Sequence, residues 1–487
     1  MSYFSPFKIW GITLFGGAVT GLAYYSGEYG LFAWISLIPL LHIIASVNFV
    51  SNTFQVGYVF GLSYNLVAFY WIGLNSGTSI SIALLSLIAA VCYLSIFWGF
   101  LTVLILKIKR SSFRLLIFPF LVVSLEWIRS IGPLGFPWSN LALTQINFLP
   151  IIQIMDITGS YGISALISTI NVILYLCLIK INRNRLYLIL LATLVCTFLW
   201  ISGTKKINYY NKYSNTIEVA VIQPNIDPNT KWDIKNKRII NSQLDSLFEI
   251  ALGLKVDLIL FPETAYPTYL RFDNKVREHI QKKVNKTGIA TIIGTVDKTE
   301  SIDKNIKYYN SSFLFTKNHD IQIYNKVHLV PFAEYVPLSN KIPYLKGMNF
   351  GQGNFSKGER ITNFNVNGLK FANLICYESS IPNLVTKFVK KGADFLTIQT
   401  NDGWLGNSIG PFQHYNISRI RAIENRIPIV RSGNTGISGM ILPNGISKNE
   451  KGIGLRSVFK VSVPIINSGS IYSKFGNILI ALHLIIT

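Results

Sequence analysis

The chain has 487 residues, half of them hydrophobic, with only 14% charged residues and a mean hydropathy of +0.38. A soluble enzyme carries about a quarter charged residues, so the composition excludes an ordinary soluble protein and points to an integral membrane protein. The formal charge of +22 does not make it a nucleic-acid binder: no basic stripe interleaves with aromatics, and Lys and Arg beside bilayer spans account for the excess.

A span needs about 20 apolar residues. Eight stretches qualify: 8–25, 30–48, 55–75, 80–106, 113–130, 160–181, 185–203 and 470–487. The expected architecture is a transmembrane domain of seven helices over 1–203, a polar domain over 216–467, and a C-terminal span over 470–487. The first stretch lacks a basic n-region and a clear small-residue cleavage site, and another span follows at once, so it is not read as a cleavable signal peptide. Glu126 and Arg129 make the fifth span the least apolar. An ionisable group at membrane depth is a functional candidate, and pairing of the two is the structural alternative. Lys107, Lys109, Arg110 and Arg114 fall between spans four and five. Lys180, Arg183 and Arg185 fall between spans six and seven. Loops rich in Lys and Arg stay cytoplasmic, which puts the polar domain outside. The loop after span five holds Gly135-Phe-Pro-Trp138, which reads as a re-entrant turn with an aromatic anchor or as a lid near the membrane surface.

Residues 216–467 alternate strand and helix signals. Strand-like runs are Glu218–Gln223, Leu258–Phe261, Thr291–Val296, Ser311–Phe315, Phe371–Cys376, Phe395–Thr400, Ile427–Arg431 and Ser438–Leu442. Helical periodicity appears over Arg238–Leu252, where Ile240, Leu244, Leu247, Phe248 and Ala251 share a face, and again over Pro382–Lys391 and Tyr415–Glu424. One α/β domain with its own core is expected.

Three short runs in this domain carry chemistry. Glu263 follows a strand and Phe261-Pro262, at a strand's C-terminal end, where α/β folds bind ligands; a helix cap or a surface acid is the bland alternative. Lys326 follows a strand and opens an apolar, proline-bounded loop, so if buried it needs a partner, and Glu334 stands eight residues on; a solvated lysine is the alternative. Cys376 ends an apolar strand in Asn373-Leu-Ile-Cys-Tyr-Glu-Ser379. It is the only cysteine outside the apolar segments, since Cys92, Cys177 and Cys196 lie within them. Taken singly, it reads as a buried core thiol. With a carboxylate and an ammonium it becomes a nucleophile for acyl transfer through a thioester. Glu378 would share its face if the strand continued. His328 and His414 are candidates for a Cys/His pair, and neither has a supporting local signature. No His, Cys, Asp or Glu set has metal-ligand spacing and no Gly-rich phosphate loop follows a strand, so neither metal nor cofactor is expected.

The order Phe261-Pro-Glu263, Lys326, Cys376 resembles the Glu-Lys-Cys triad of the nitrilase, or carbon–nitrogen hydrolase, superfamily. The run Arg421–Gly436 is similar to that superfamily's C-terminal strand region. Narrower matches resemble its apolipoprotein N-acyltransferase branch: Gln223-Pro-Asn-Ile226 with Lys231-Trp232, Pro331-Phe-Ala-Glu-Tyr-Val-Pro337, Cys376-Tyr-Glu378, Thr400-Asn-Asp-Gly-Trp404 and Gly135-Phe-Pro-Trp138. Eight spans around one external domain is also that branch's architecture. Ala333 departs from it, standing where the branch often has Gly.

The resemblance implies an αββα sandwich outside a multi-pass membrane domain, in a bacterial cytoplasmic (inner) membrane with the catalytic domain on the periplasmic side. It implies Cys376 as nucleophile, Glu263 as general base, and Lys326 with the Tyr377 N–H as oxyanion donors. Glu334 and Glu378 would orient Lys326 and the acceptor. Tyr377 and Trp232 would shape the pocket, and Asn401 is a further supporting residue. The implied reaction moves an acyl chain from a phosphatidylethanolamine-like phospholipid to the α-amino group of a diacylglyceryl-cysteine on an apolipoprotein, by a ping-pong route in a monomer. The rivals are a membrane-tethered amidase on a soluble amide and a non-enzymatic lipid-binding or transport protein.

Overall fold

Inside hydrocarbon every backbone polar group must be satisfied by its own segment, so long uncharged runs fold as helices. The computed structural model describes residues 6–477, except 26, 47–51, 180–181, 301–305, 318–320, 338, 340, 342–352 and 467–468. Two units make up the chain; one consists of Asn75–Ser79 and Tyr210–Lys474, and the helices up to Tyr209 belong to the other.

The helical unit contains α1 (Pro6–Leu22), α2 (Ile38–Ser46), α3 (Thr53–Phe69), α4 (Ile80–Leu106), α5 (Ser111–Arg129), α6 (Leu149–Ile152), α7 (Met155–Ile179) and α8 (Arg183–Tyr210). Among the described residues six stretches are long and apolar enough to cross a bilayer: Gly27–Ser46, Thr53–Leu74, Ile80–Leu106, Ser111–Arg129, Met155–Ile179 and Arg183–Tyr210. The first expected span is the 17-residue α1. The eighth lies largely outside the described residues. Along α8, Leu190, Leu191, Leu194, Phe198 and Ile201 are exposed, an apolar surface suited to contact with lipid. Helices α3 and α4 touch backbone to backbone at Gly57, where a Cβ would lie 2.0 Å from the Trp98 carbonyl oxygen.

The charges of the fifth span have structural employment. Glu126 Oε1 accepts the Leu141 N–H at 2.7 Å and Arg129 Nη2 donates to the Ser139 carbonyl at 2.6 Å. Both side chains are buried and pin the segment after Gly135-Phe-Pro-Trp138, where Trp138 and Leu141–Gln145 are buried too. This favours the packed re-entrant turn over a lid. Arg114 is no free loop charge either: it lies in the first turn of α5 and donates to the Ile108 and Ile44 carbonyls.

The second unit is a two-sheet sandwich. In chain order its strands are β1 (Thr216–Gln223), β2 (Leu258–Leu260), β3 (Ala290–Glu300), β4 (Ile306–Phe315), β5 (Ile321–Asn325), β6 (Asn363–Val366), β7 (Leu369–Ile375), β8 (Phe395–Thr400), β9 (Ile429–Gly433), β10 (Ser438–Ile441), β11 (Ser447–Lys451) and β12 (Ser457–Pro464). One sheet runs β12-β1-β2-β3-β4-β5 and the other β11-β10-β9-β8-β7-β6. The centre of each is parallel, β1-β2-β3 and β7-β8-β9. Helices α9 (Lys237–Leu252), α10 (Asn274–Thr287), α11 (Pro382–Lys390) and α12 (Gly410–Asn425) complete the layers.

Period-2 alternation sorts the side chains. Val219, Val221, Leu258, Leu260 and Ile292 join the core shared with the second sheet, whereas Ala220, Ile222, Ile259 and Ile293 pack with α9 and α10. The face expected on α9 is the buried one, from Ile240 to Ala251. Four elements, α10, β6, β11 and β12, carried no clear sequence signal, and β5 was marked only as the strand that Lys326 follows. Helix α10 buries only Ile280, Gln281 and Val284, and β5, β6, β11 and β12 are short, polar or exposed at sheet edges.

A polar bridge joins the sheets inside the apolar layer. Gln399 on β8 donates to the Phe261 carbonyl at 2.7 Å and accepts from Asn373 at 2.9 Å and from Ser312 on β4. Gln399→Leu strands these buried partners. A buried polar group left unpaired costs about 1–3 kcal/mol, so thermal unfolding in detergent should begin several degrees below wild type; an unchanged transition would show the bridge to be dispensable.

Candidate active site

Strand β2 delivers Glu263. The chain leaves Leu260 through Phe261-Pro262 and turns tightly at Thr264, whose φ is +44°. The turn sits against β3 at Gly294, where a Cβ would approach the Pro262 carbonyl oxygen to 2.5 Å, so only glycine fits beneath it. The Glu263 carboxylate is buried and accepts Asn310 Nδ2 at 2.7 Å. Asn310, from β4, also donates to Glu334 Oε1 at 3.0 Å.

Strand β5 delivers Lys326, whose side chain is 1% exposed. Its Nζ lies 2.8 Å from Glu334 Oε1 and 3.9 Å from Glu263 Oε1. Glu334 is held in turn by the Val330 N–H at 2.8 Å. Burial alone would lower the lysine's pKa, but Glu334, Glu263 and Cys376 outweigh it and hold the ammonium charged. Burial raises the Glu263 pKa, with Lys326 opposing and Glu334 adding to the rise. A carboxylate made more basic in this way is suited to accept a proton near neutral pH.

Strand β7 delivers Cys376, but the strand stops at Ile375. Cys376 has φ +52°, in the left-handed region that non-glycine residues rarely occupy, and opens a helical turn over Cys376–Ser380. A sharp strand-to-turn bend of this kind presents a nucleophile. Glu378 therefore does not share a strand face with Cys376. It folds back, accepting the Ile375 N–H at 2.9 Å, and reaches across to accept the Val327 and His328 N–H groups at 2.7 and 3.1 Å and the Tyr324 hydroxyl at 2.8 Å. One carboxylate thus staples the thiol's turn to the backbone just after Lys326. Burial pushes it up to about 7 in spite of these donors.

Burial and Glu263 push the Cys376 thiol well up, and Lys326 is the principal group opposing them. The resting sulfur is a neutral thiol that needs a base beside it. His328 is not that base: burial, Lys357 and Lys326 push it down to about 4, and its ring packs beside Tyr377 with centroids 5.9 Å apart.

Asn401 is placed differently from the reacting groups: its Oδ1 accepts Asn434 Nδ2 at 3.1 Å, and Asn434 also donates to the Ile226 carbonyl, so the three strand ends β1, β8 and β9 are clasped together. Trp232 is 46% exposed. Its neighbour Lys231 is buried, with no partner for its Nζ among the described residues; burial lowers its pKa to about 8 while Glu263 acts against that.

Cys376, Asp402 and His414 gather donor atoms within 4.8 Å of one another. As a metal cage they are poorly matched, because Arg431 and Lys326 put two cations beside the set and Asp402 is already engaged by Arg431, His414 and Thr400. Asn310 and the Asp402–Arg431 pair carry no role in the sequence reading, in which His414 stands only as a candidate partner of Cys376 in a Cys/His pair. The consecutive polar residues Asn310-Ser311-Ser312 inside an otherwise apolar strand were the available signal for the first. The second unites residues far apart in sequence.

A half-buried thiol, two buried carboxylates and a buried ammonium at the strand ends of a two-sheet sandwich define a candidate site of the carbon–nitrogen hydrolase type, and the carbon–nitrogen hydrolase family profile matches residues 218–452. The profile of the apolipoprotein N-acyltransferase N-terminal domain matches residues 16–173. An apolipoprotein N-acyltransferase of Geobacter metallireducens is 31% identical, aligned over 96% of this chain and 91% of its own length. That of Rickettsia prowazekii is 30% identical over 93% and 94%. Among solved structures, an amidase from Nesterenkonia sp. aligns at 16% identity and a TM-score of 0.41 over 56% of this chain and 98% of that one. This chain belongs to the apolipoprotein N-acyltransferase family.

Lys326 lowers the thiol's pKa, so its removal leaves less thiolate at any given pH. Lys326→Met should slow alkylation of Cys376 by iodoacetamide at pH 7 at least tenfold, one pKa unit being about 1.4 kcal/mol, and move its pH dependence upward. An unchanged rate would mean that the ammonium does not act on the sulfur.

Proposed function

We propose that this protein is a phospholipid:apolipoprotein N-acyltransferase working through a thioester on Cys376. The observation that carries the reading is the convergence of Cys376, Glu263 and Lys326 in a chain of this family. Glu263 takes the thiol proton as sulfur attacks the acyl ester carbonyl of a phosphatidylethanolamine-like donor. The Lys326 ammonium and the Tyr377 N–H receive the developing oxyanion. Collapse breaks the ester C–O bond. The lysophospholipid leaves with the proton from Glu263, and the acyl group stays on sulfur. The α-amino group of the diacylglyceryl-cysteine at an apolipoprotein's N-terminus then attacks. Glu263 takes its proton, the C–S bond breaks, and an amide and the free thiol result. Glu334 and Glu378 hold Lys326 and its loop in place for both halves.

Burial of Glu263 and Lys326 supports the reading, since a thioester open to water would hydrolyse before an amine arrived. The fusion to membrane spans supports it as well. Both substrates are lipid-anchored, so tethering the enzyme to the same surface raises their effective concentration. The Lys- and Arg-rich loops support a catalytic unit on the periplasmic side of the bacterial inner membrane.

Purified protein fed with phospholipid labelled in its acyl chain should yield a labelled thioester on Cys376 by mass spectrometry, discharged by a diacylglyceryl-cysteine peptide. Cys376→Ala should form no adduct and no product. Release of ammonia from small amides without phospholipid turnover would make the protein an amidase instead, and full activity in Cys376→Ala would remove the thioester route.

A further inference from the structure

Behind the nucleophile lies a buried group that the mechanism above does not use. His414 on α12 turns its Nε2 toward the Cys376 main chain, 3.2 Å from the carbonyl oxygen and 3.0 Å from Ser379 Oγ. The Ser379 hydroxyl donates to the same carbonyl at 2.8 Å. A carbonyl oxygen only accepts, and Ser379 has spent its proton on it. The Nε2 therefore carries hydrogen and is shared between the two oxygens. The other edge of the ring is fixed from behind: Nδ1 is 2.7 Å from Asp402 Oδ1 and 2.9 Å from Arg431 Nη2, while Arg431 Nη2 is 2.7 Å from Asp402 Oδ2. Thr400 donates to Asp402 at 3.0 Å and Arg431 Nη1 to Ser418 Oγ at 3.1 Å. Arg431, His414 and Asp402 are all buried.

The target of this assembly is the peptide bond between Cys376 and Tyr377. A trans peptide is rigid and planar, with its C=O and N–H directed oppositely. Pinning the carbonyl on the His414 side therefore fixes the direction of the Tyr377 N–H on the other side. The same peptide follows a residue at φ +52°, a conformation that persists only where the surroundings over-determine it, at a cost of order 1–3 kcal/mol.

We propose that His414, backed by Asp402 and Arg431, is a positioning residue that locks the Cys376–Tyr377 peptide so that the Tyr377 N–H meets the oxyanion formed at the acyl carbon. The inference rests on the acyl-transfer reading, but it concerns any ester that acylates Cys376. It makes the cluster part of transition-state stabilisation without contact to substrate. His414 is not among the groups that set the thiol's pKa, which besides burial are Glu263, Lys326, Asp402 and the Thr400 hydroxyl, so its removal leaves them in place.

Two reactions of the same sulfur separate this role from a merely structural one. Acylation by a p-nitrophenyl ester passes through an oxyanion; alkylation by iodoacetamide does not. In His414→Ala the acylation rate should fall by about 10²–10³, as for loss of one oxyanion-hole donor, with KM little changed and the alkylation rate close to wild type. His414→Gln, whose amide N–H can still reach the carbonyl, should recover most of the loss, and Ser379→Ala should lie between. Acylation and alkylation falling together in His414→Gln and Ser379→Ala would mean that the turn has collapsed, and would overturn the proposal. So would wild-type acylation in His414→Ala. Should wild-type protein acylate with the p-nitrophenyl ester yet ignore phospholipid, the lipid reading would fail while this one stood.

Discussion

An ammonium removed from water must be paired or it will give up its proton, and Lys326 is 1% exposed. Glu334 meets it at 2.8 Å and Glu263 at 3.9 Å, so three charges share one dry space, with Asn310 donating to both carboxylates. The inequality of the two distances matters. The nearer acid neutralises the lysine; burial raises the pKa of the farther one. If the pair were symmetric, neither carboxylate would be available to the thiol. In the proposed reaction the sulfur, the proton acceptor and the positive charge that receives the oxyanion all take their properties from this arrangement.

The site also requires the two sheets to stay in register with each other. Glu263 and Lys326 come from the first sheet and Cys376 from the second, so a small slide between layers would separate Glu263 and Lys326 from Cys376. Apolar packing between Val219, Leu260, Ile292 and their partners supplies cohesion but little direction. Direction comes from the hydrogen bonds across the layer: Gln399 to the carbonyl of Phe261, two residues before Glu263, and Glu378 to the two N–H groups that follow Lys326. Each ends within two residues of a reacting group. Polar atoms in this core set position where hydrophobic contact alone would not.

Much of this was legible in the sequence where chemistry and local pattern coincide. The apolar runs read as helices, the central strands fell within two residues of their places except β3, which runs on to Glu300, and Glu263, Lys326 and Cys376 stood at strand ends as ligand-binding residues do. What stayed hidden depended on tertiary contact. Cys376 looked like the last residue of a strand because Leu374 and Ile375 are apolar; its left-handed φ is imposed by Glu378 folding back and by contacts from α12, and no local preference announces it. Asn310 had a faint signal, three polar residues in a row in a strand. Arg431 and Asp402 had none, and His414 stood out only as a histidine that could pair with Cys376: each is an ordinary polar residue until β8, β9 and α12 bring them together.

The second unit is not a contiguous stretch of chain. Asn75–Ser79, the link between α3 and α4, belongs to it: the Ser76 N–H donates to the Trp404 carbonyl at 2.9 Å and Gly77 lies against the Trp404 ring. Trp404 closes the turn that begins at Asn401 and carries Asp402. A gene fragment starting at Tyr210 would encode every strand of the sandwich and yet lack five residues of its surface. The catalytic unit is thus completed by a segment synthesised long before it, and recombination of this domain onto a different membrane anchor would have to bring that link along.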